Sequence, residues 1–339
     1  MKLNKFLPLL VVASLIACSS SLEKYTEETF YYYDTFVSLK SYNSNKHHNA
    51  SLIEQMDRIL SHTDKISDIY QKRDITGVYD LNHTNEKIEI DRDFYRMLAI
   101  TKEAMEVAKY FNPFVGSLSI KWKEALANNQ ILNDEAIQEE LIKMNASDLL
   151  LEEASGKYFA QRKGKAMLDL GAVAKGYALD RCQSLLPAFA PSNDYLVNAG
   201  NSSILLGSNM ESREGVEKGQ YIVKIKGLSK DTYLHESTCV ISTSGISEQE
   251  TKIGDDTYSH IINPITGSAI SLYDAVIVIS DFNESIKTGL FGDALSTSFM
   301  MSSIEEIKEV EATNEIKVIV VKDNDVLYKS EGVELITNG

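Results

Sequence analysis

Positive charge is what this chain has too little of. Its 339 residues hold 34 Lys and Arg against 49 Asp and Glu, a formal net charge of −15. Nucleic acid is thereby excluded as an expected partner, because phosphate backbones are bound through an excess of Lys and Arg. An anionic ligand needs a local positive site or a bridging cation. Cysteine is scarce too, at Cys18, Cys182 and Cys239. Cys182 and Cys239 lack the His or Cys companions of a zinc site, leaving one disulfide or two buried thiols open. No internal repeat, low-complexity tract or interior linker divides the chain. The hydrophobic fraction of 43% and charged fraction of 24% are ordinary for a globular protein long enough to bury a sizeable core.

The apolar run from Phe6 to Ala17 is too short for a comfortable membrane span and fits a signal-peptide core after Lys2 and Lys5. Leu15-Ile16-Ala17-Cys18 resembles a bacterial lipobox, and Ser-Ser-Ser follows it. The alternative is an ordinary signal peptide with an incidental cysteine. The expected organisation is a signal peptide over 1–17, a tether over 18–27 with lipid on Cys18, and a folded domain over 28–339. That places the protein outside the cytoplasm, lipid-anchored to a bacterial membrane.

Periodicity predicts a mixed α+β unit, single or with two lobes. ETFYYYDTFVSLKSY reads as a first strand, and Asn43–Asn49, with His47 and His48, as a polar turn. Apolar residues at helical spacing predict helices over 50–70 and 91–111, the second broken at Asn112-Pro113. Polar-faced helices are expected within 121–153. Two strands follow, with turns at Ser155-Gly156 and Lys163-Gly164, then a strand end at Asp169 and a helix from about Ala172 to Leu186. Short strands dominate 195–278, with turns at Gly200-Asn201, Ser244-Gly245, Gly254-Asp255 and Pro264–Gly267. One last helix, from Gly292, precedes a hairpin in KVIVVKDNDVLYKS.

Three stretches could carry chemistry. LDLGAVAKGYALD, 168–180, lacks the Lys-Ser/Thr of a P-loop after Gly176, and no G-x-G-x-x-G is present. Its helix N-terminus can still meet an anion, but on the segment alone its glycines better suit a helix packed close to a sheet. Asp293 and Thr297 stand i, i+4 on one helix face, a hard-oxygen pair suited to Mg²⁺; the alternative is that Asp293 caps its own helix. His260 ends a strand before Asn263-Pro264, where imidazole can take a hydroxyl proton or simply be solvated. It has neither a serine elbow nor paired glycosidase carboxylates around it.

Taken in order, these stretches resemble the ApbE family of FAD:protein FMN transferases. Tyr33-Asp-Thr-Phe36 is similar to the family's opening strand, TGVYDLN (76–82) to Ser-x-x-x-x-Leu-Asn, and FNPFVGSL (111–118) to Phe-Asp-Pro-x-Val-Gly-x-Leu. Trp122 falls where a tryptophan is usual. LDLGAVAKGYALD closely matches Asp-Leu-Gly-x-x-Ala-Lys-Gly-Tyr-x-x-Asp, and TSG, SHIINPITG and DALST complete the set. Four departures stand out: Asp34 for Gly, Asn112 for Asp, Asn201-Ser202 for Gly-Asp, and Asn263 for Asp.

The resemblance implies an α+β, T-fold-related domain of antiparallel or mixed sheets with packed helices. It implies Mg²⁺ on Asp293, Thr297 and a carbonyl near Ala172, and FAD along Asp169, Lys175, Ile261 and Ser296. Tyr33, Tyr70, Asn112, Pro113 and Phe114 would contribute to the flavin site, and His260 would be the base. The implied activity attaches FMN to Thr or Ser of an acceptor protein and releases AMP. Implied acceptors carry flavinylation motifs, as in FMN-binding domains of membrane redox complexes. A metal-dependent FAD pyrophosphatase and a non-catalytic FAD-binding lipoprotein remain as alternatives. INPITGSA (262–269) lacks the lead Asp and final Thr of a flavin-acceptor motif and reads as a turn.

Overall fold

Strands buried along consecutive residues dictate a sheet covered on both faces, and strands that bury every second side chain are covered on one. In the computed structural model, which describes residues 25–43, 45–185, 195–207, 219–246, 250–282 and 288–338, eight strands form one sheet, buried along consecutive residues near its centre and alternating at its edges. They are β1 (Thr26–Tyr32), β2 (Thr35–Ser41), β6 (Tyr195–Ala199), β7 (Ser203–Leu206), β10 (Cys239–Gly245), β13 (Ala275–Asp281), β14 (Ile316–Lys322) and β15 (Asp325–Lys329). They lie in the order β1-β2-β6-β7-β10-β13-β14-β15, each pair antiparallel. Val276 and Val278 of β13 face a core shared with helices, whereas Ile277 and Ile279 face a second core. That second core is closed by a three-stranded sheet of β8 (Tyr221–Ile225), β9 (Asp231–Glu236) and β16 (Leu335–Asn338).

On the helical face lie α1 (Lys46–Ser67), α6 (Ala174–Gln183) and α7 (Thr288–Phe299). Beside them, α2 (Val78–Asn82), α3 (Arg92–Val107), α4 (Gly116–Ala127) and α5 (Asp134–Asn145) surround a small sheet. Its strands are β3 (Ile88–Ile90), β5 (Lys157–Lys163) and β4 (Asp148–Ala154). A two-stranded ribbon, β11 (Glu250–Ile253) and β12 (Asp256–Ser259), leads into His260. Trp122 on α4 stacks on Tyr258 and donates its indole N–H to the Gly267 carbonyl at 2.8 Å, fixing the turn after His260. The architecture is α+β, and every strand pairing among the described residues is antiparallel.

Several local expectations change. The first strand is a hairpin, because Tyr33 and Asp34 both take φ of 55° and reverse the chain. Strand β1 also starts at Thr26, so the folded unit takes in the last two residues assigned to the tether. His47 and His48 lie in the first turn of α1, whose cap Asn45 accepts their backbone N–H groups. Ser244-Gly245 continues β10 rather than turning. The last helix is two, since Ser303 starts α8 (Ile304–Glu311) with a capping box. Cys182 and Cys239 are buried free thiols in separate cores. Cys18 and its preceding segment lie outside the described residues, among which no helix is long and apolar enough to cross a membrane.

Candidate active site

Two glycines bring two helices into backbone contact. A Cβ on Gly176 would overlap the carbonyl of Gly289, and one on Gly289 would overlap the carbonyl of Gly176. Helices α6 and α7 therefore cross backbone to backbone, and each supplies a carboxylate to the other's first turn. Asp293 Oδ2 accepts the Gly176 N–H at 2.7 Å. Asp180 accepts the N–H groups of Gly289 at 2.7 Å and Leu290 at 3.0 Å, and the Thr288 hydroxyl at 3.3 Å. These are N–H groups that a helix start leaves without intrahelical partners, at the positive end of its dipole. Asp293 lies inside α7, so it does not cap its own helix; it caps α6 instead.

Asp293 is buried, and burial pushes its pKa up. The positive charge of Lys175 and the hydrogen bonds of Ser203 and Gly176 oppose that rise. Ser203, at the start of β7, donates to Oδ1 at 2.9 Å and lies 3.2 Å from Oδ2. Ser242 on β10 turns its buried hydroxyl towards the same carboxylate, in space left open by Gly292, where it too opposes the rise in pKa, and it has no partner at hydrogen-bonding geometry among the described residues. One turn on, Ser244 Oγ lies 2.9 Å from Ser296 Oγ and 3.2 Å from Thr297 Oγ1. Ser296 also donates to the Asp293 carbonyl at 3.1 Å.

The second wall is the extended run into Asp169, which pairs with loops and side chains rather than forming the expected strand end. Asn82 clamps Leu168 at both backbone groups, at 2.7 and 2.8 Å. Gly116 N–H bonds the Met167 carbonyl at 3.0 Å, and Asp169 N–H the Pro113 carbonyl at 2.7 Å. Pro113 and Phe114 are buried, and the Pro113 carbonyl meets Asp169 directly. The Asp169 carboxylate accepts the Gly171 N–H at 2.8 Å, shaping the turn that exposes Gly171 and Ala172 before α6. Burial raises its pKa, and Lys123 counters. Lys123 also sits 5.0 Å from the ring centroid of exposed Tyr70, so Tyr70 borders this wall.

Other candidates lie on other elements. His260 is exposed directly after β12, and Ile261 is buried behind it. Tyr33 is engaged with α1: its N–H meets Asp64 at 2.8 Å and its hydroxyl the Leu60 carbonyl at 3.1 Å. The four departures all keep a backbone role. Asp34 and Asn201 hold φ of 55° and 61°, where glycine is easiest and Asn or Asp is next best. Asn112 accepts the Phe114 N–H, and Asn263 those of Ile265 and Thr266, with the side-chain oxygen an Asp would offer. Sequence reasoning missed Asp180, Ser203, Ser242 and Lys123 as site components. Only Asp180 carried a signal, as the final residue of LDLGAVAKGYALD.

The Asp293 neighbourhood fits a hard cation: carboxylate and hydroxyl oxygens, with the orphaned Ser242 hydroxyl beside them. No group of three His, Cys, Asp or Glu among the described residues could hold a metal. A cation here would complete its shell with backbone, water and ligand oxygens, the habit of Mg²⁺.

The sequence model of the ApbE family matches residues 33–320. The FAD:protein FMN transferase of Klebsiella pneumoniae (strain 342) is 23% identical over 297 residues, covering 84% of this chain and 86% of the relative. That of Vibrio cholerae is 24% identical, covering 83% and 82%. Among solved structures, the ApbE protein of Thermotoga maritima superposes with a TM-score of 0.74 at 22% identity, over 91% of this chain and 97% of that one. The apo flavinyl transferase ApbE of Pseudomonas stutzeri gives 0.68 at 18% identity, over 93% and 94%. With a family match running from the β1–β2 turn into β14, and the same fold around it, this chain belongs to the ApbE family.

Proposed function

We propose that this protein is a Mg²⁺-dependent FAD:protein FMN transferase. The observation that carries the proposal is the buried Asp293 carboxylate at the glycine crossing of α6 and α7, one helical turn from Thr297 and bonded to the first turn of α6, the helix that follows the exposed Gly171–Ala172 turn. Curated relatives covering more than four fifths of this chain are named for that activity.

In this scheme Asp293, Thr297 and the Ala172 carbonyl would hold Mg²⁺, which when bound neutralises charge on the pyrophosphate. Lys175 and the start of α6 add positive potential. The wall of Asn112, Pro113, Phe114 and Asp169, with Tyr70 at its border, lines the FAD site with Ile261 and Ser296. A Thr or Ser hydroxyl of the acceptor attacks the FMN-side phosphorus. The bond from that phosphorus to the bridging oxygen breaks, and AMP leaves with the bridging oxygen. His260, exposed to an incoming protein, takes the hydroxyl proton. Lipidation of Cys18 would hold the domain at the outer side of a bacterial membrane, within reach of acceptors in membrane redox complexes.

The test combines purified protein, FAD, Mg²⁺ and an acceptor domain, followed by mass spectrometry and AMP detection. Mass gain of one FMN on the acceptor, with equimolar AMP, is expected. FMN and AMP without labelling would make the protein a pyrophosphatase; intact FAD would make it a binder.

A further inference from the structure

Arg162 on β5 is buried to 6% exposure, and no carboxylate is among its partners. Its five N–H donors meet five backbone carbonyls. Nε donates to Leu81 at 3.0 Å, one Nη to Gly164 at 2.7 Å and Ala166 at 3.2 Å, and the other to Asn82 and Thr84 at 3.3 Å each. Burial pushes its pKa down from the ordinary range, yet a guanidinium stays charged in proteins. A buried charge without a counter-ion is costly, and here only backbone dipoles offset it. Leu81 and Asn82 end α2, where carbonyls lack helical partners and the dipole is negative. Gly164 and Ala166 open the extended run that ends at Asp169.

The geometry points to Arg162 as a positioning residue for the flavin-pyrophosphate site. Its planar fork joins the end of α2 to the run 164–166. Asn82, whose carbonyl it holds, clamps Leu168 with its amide, and Leu168 precedes Asp169. Asp169 in turn sets the Gly171 turn and, through it, the start of α6. The side chain touches no reacting atom; it fixes the wall that does. Lysine cannot replace it, because three donors on a flexible stem cannot span five carbonyls in one plane.

The inference rests on the proposed function for its ligand but not for its structural arm. Arg162→Lys and Asn82→Ala are compared with wild type by amide hydrogen exchange, thermal melting and FAD titration with Mg²⁺. In both folded variants, exchange at Leu168, Asp169 and Gly171 should quicken at least about tenfold while β13 and β14 stay protected. FAD affinity should fall about 10–100-fold, as for lost supporting contacts elsewhere, with the KM for acceptor unchanged. A general packing role would lower melting temperature and loosen exchange throughout the core. Native exchange at Leu168–Gly171 together with native FAD affinity in either folded variant would overturn the inference. If wild type binds no FAD, the proposed function fails while the exchange arm still decides the role of Arg162. Asn82→Ala leaves the guanidinium in place, so it decides the question if Arg162→Lys does not fold.

Discussion

Replacing Gly176 with alanine separates two opposing effects of opposite sign. In an isolated helix alanine at this position would stabilise by about 1 kcal/mol. Here the added methyl would meet the carbonyl of Gly289 and lie 2.8 Å from Asp293 Oδ2. Neither can rotate aside, since one is backbone and the other is held by Gly176 N–H and Ser203. Overpacking of an unyielding site costs about 1–3 kcal/mol, and contact with backbone argues for the upper end. The net expectation is a loss of about 2 kcal/mol, which in a chain of 339 residues lowers Tm by about 3 °C. Because the helices must separate, Asp293 also loses its bond to Gly176, and FMN transfer should fall further than stability does. Differential scanning calorimetry beside the transfer assay reads both. A Gly176→Ala protein melting at or above wild type would refute the helix contact, and with it the placement of Asp293.

Three further outcomes follow from the same geometry. Asp293→Ala should abolish Mg²⁺-dependent turnover while the chain stays folded; full activity would remove Asp293 from the metal site. His260→Ala should lower kcat with little change in FAD affinity, because its exposed ring acts on the acceptor; an affinity loss alone would assign it to binding instead. Asp180 has its pKa pushed up to about 6 by burial, above the ordinary 3.8. Stability linked to that group is therefore present below about pH 4 and lost as pH rises through about 6, a difference of about 3 kcal/mol at most. Urea midpoints from pH 4 to 7 should show wild type gaining on Asp180→Asn as pH falls; parallel curves would count against the buried carboxylate.

The sequence carried the motifs but not the partners that give them meaning. Asp293 and Thr297 were legible as a pair because their spacing is local. That Asp293 caps a different helix was not, since Gly176 lies 117 positions away and no local pattern marks the contact. The same limit hid Ser203 and Ser242, ordinary serines until β7 and β10 bring them against α7. The hairpin at Tyr33-Asp34 escaped because aromatic residues run through it without a glycine or Asn-Gly signal. In LDLGAVAKGYALD, Gly176 serves close packing, though against a helix rather than the expected sheet, and Asp169 and Gly171 shape an exposed turn. Helices with clear periodicity, such as α1 and α3, were placed to within a few residues because burial follows a local period.

In the proposed function, the crossing of α6 and α7 would build a divalent-cation site for the FAD pyrophosphate. Anomalous diffraction from crystals soaked with Mn²⁺ and FAD tests it most directly. One strong peak is expected at about 2.0–2.3 Å from an Asp293 carboxylate oxygen and the Thr297 hydroxyl, with pyrophosphate oxygens completing its shell. FAD bound with the metal elsewhere, or with no metal contacting Asp293, would contradict it.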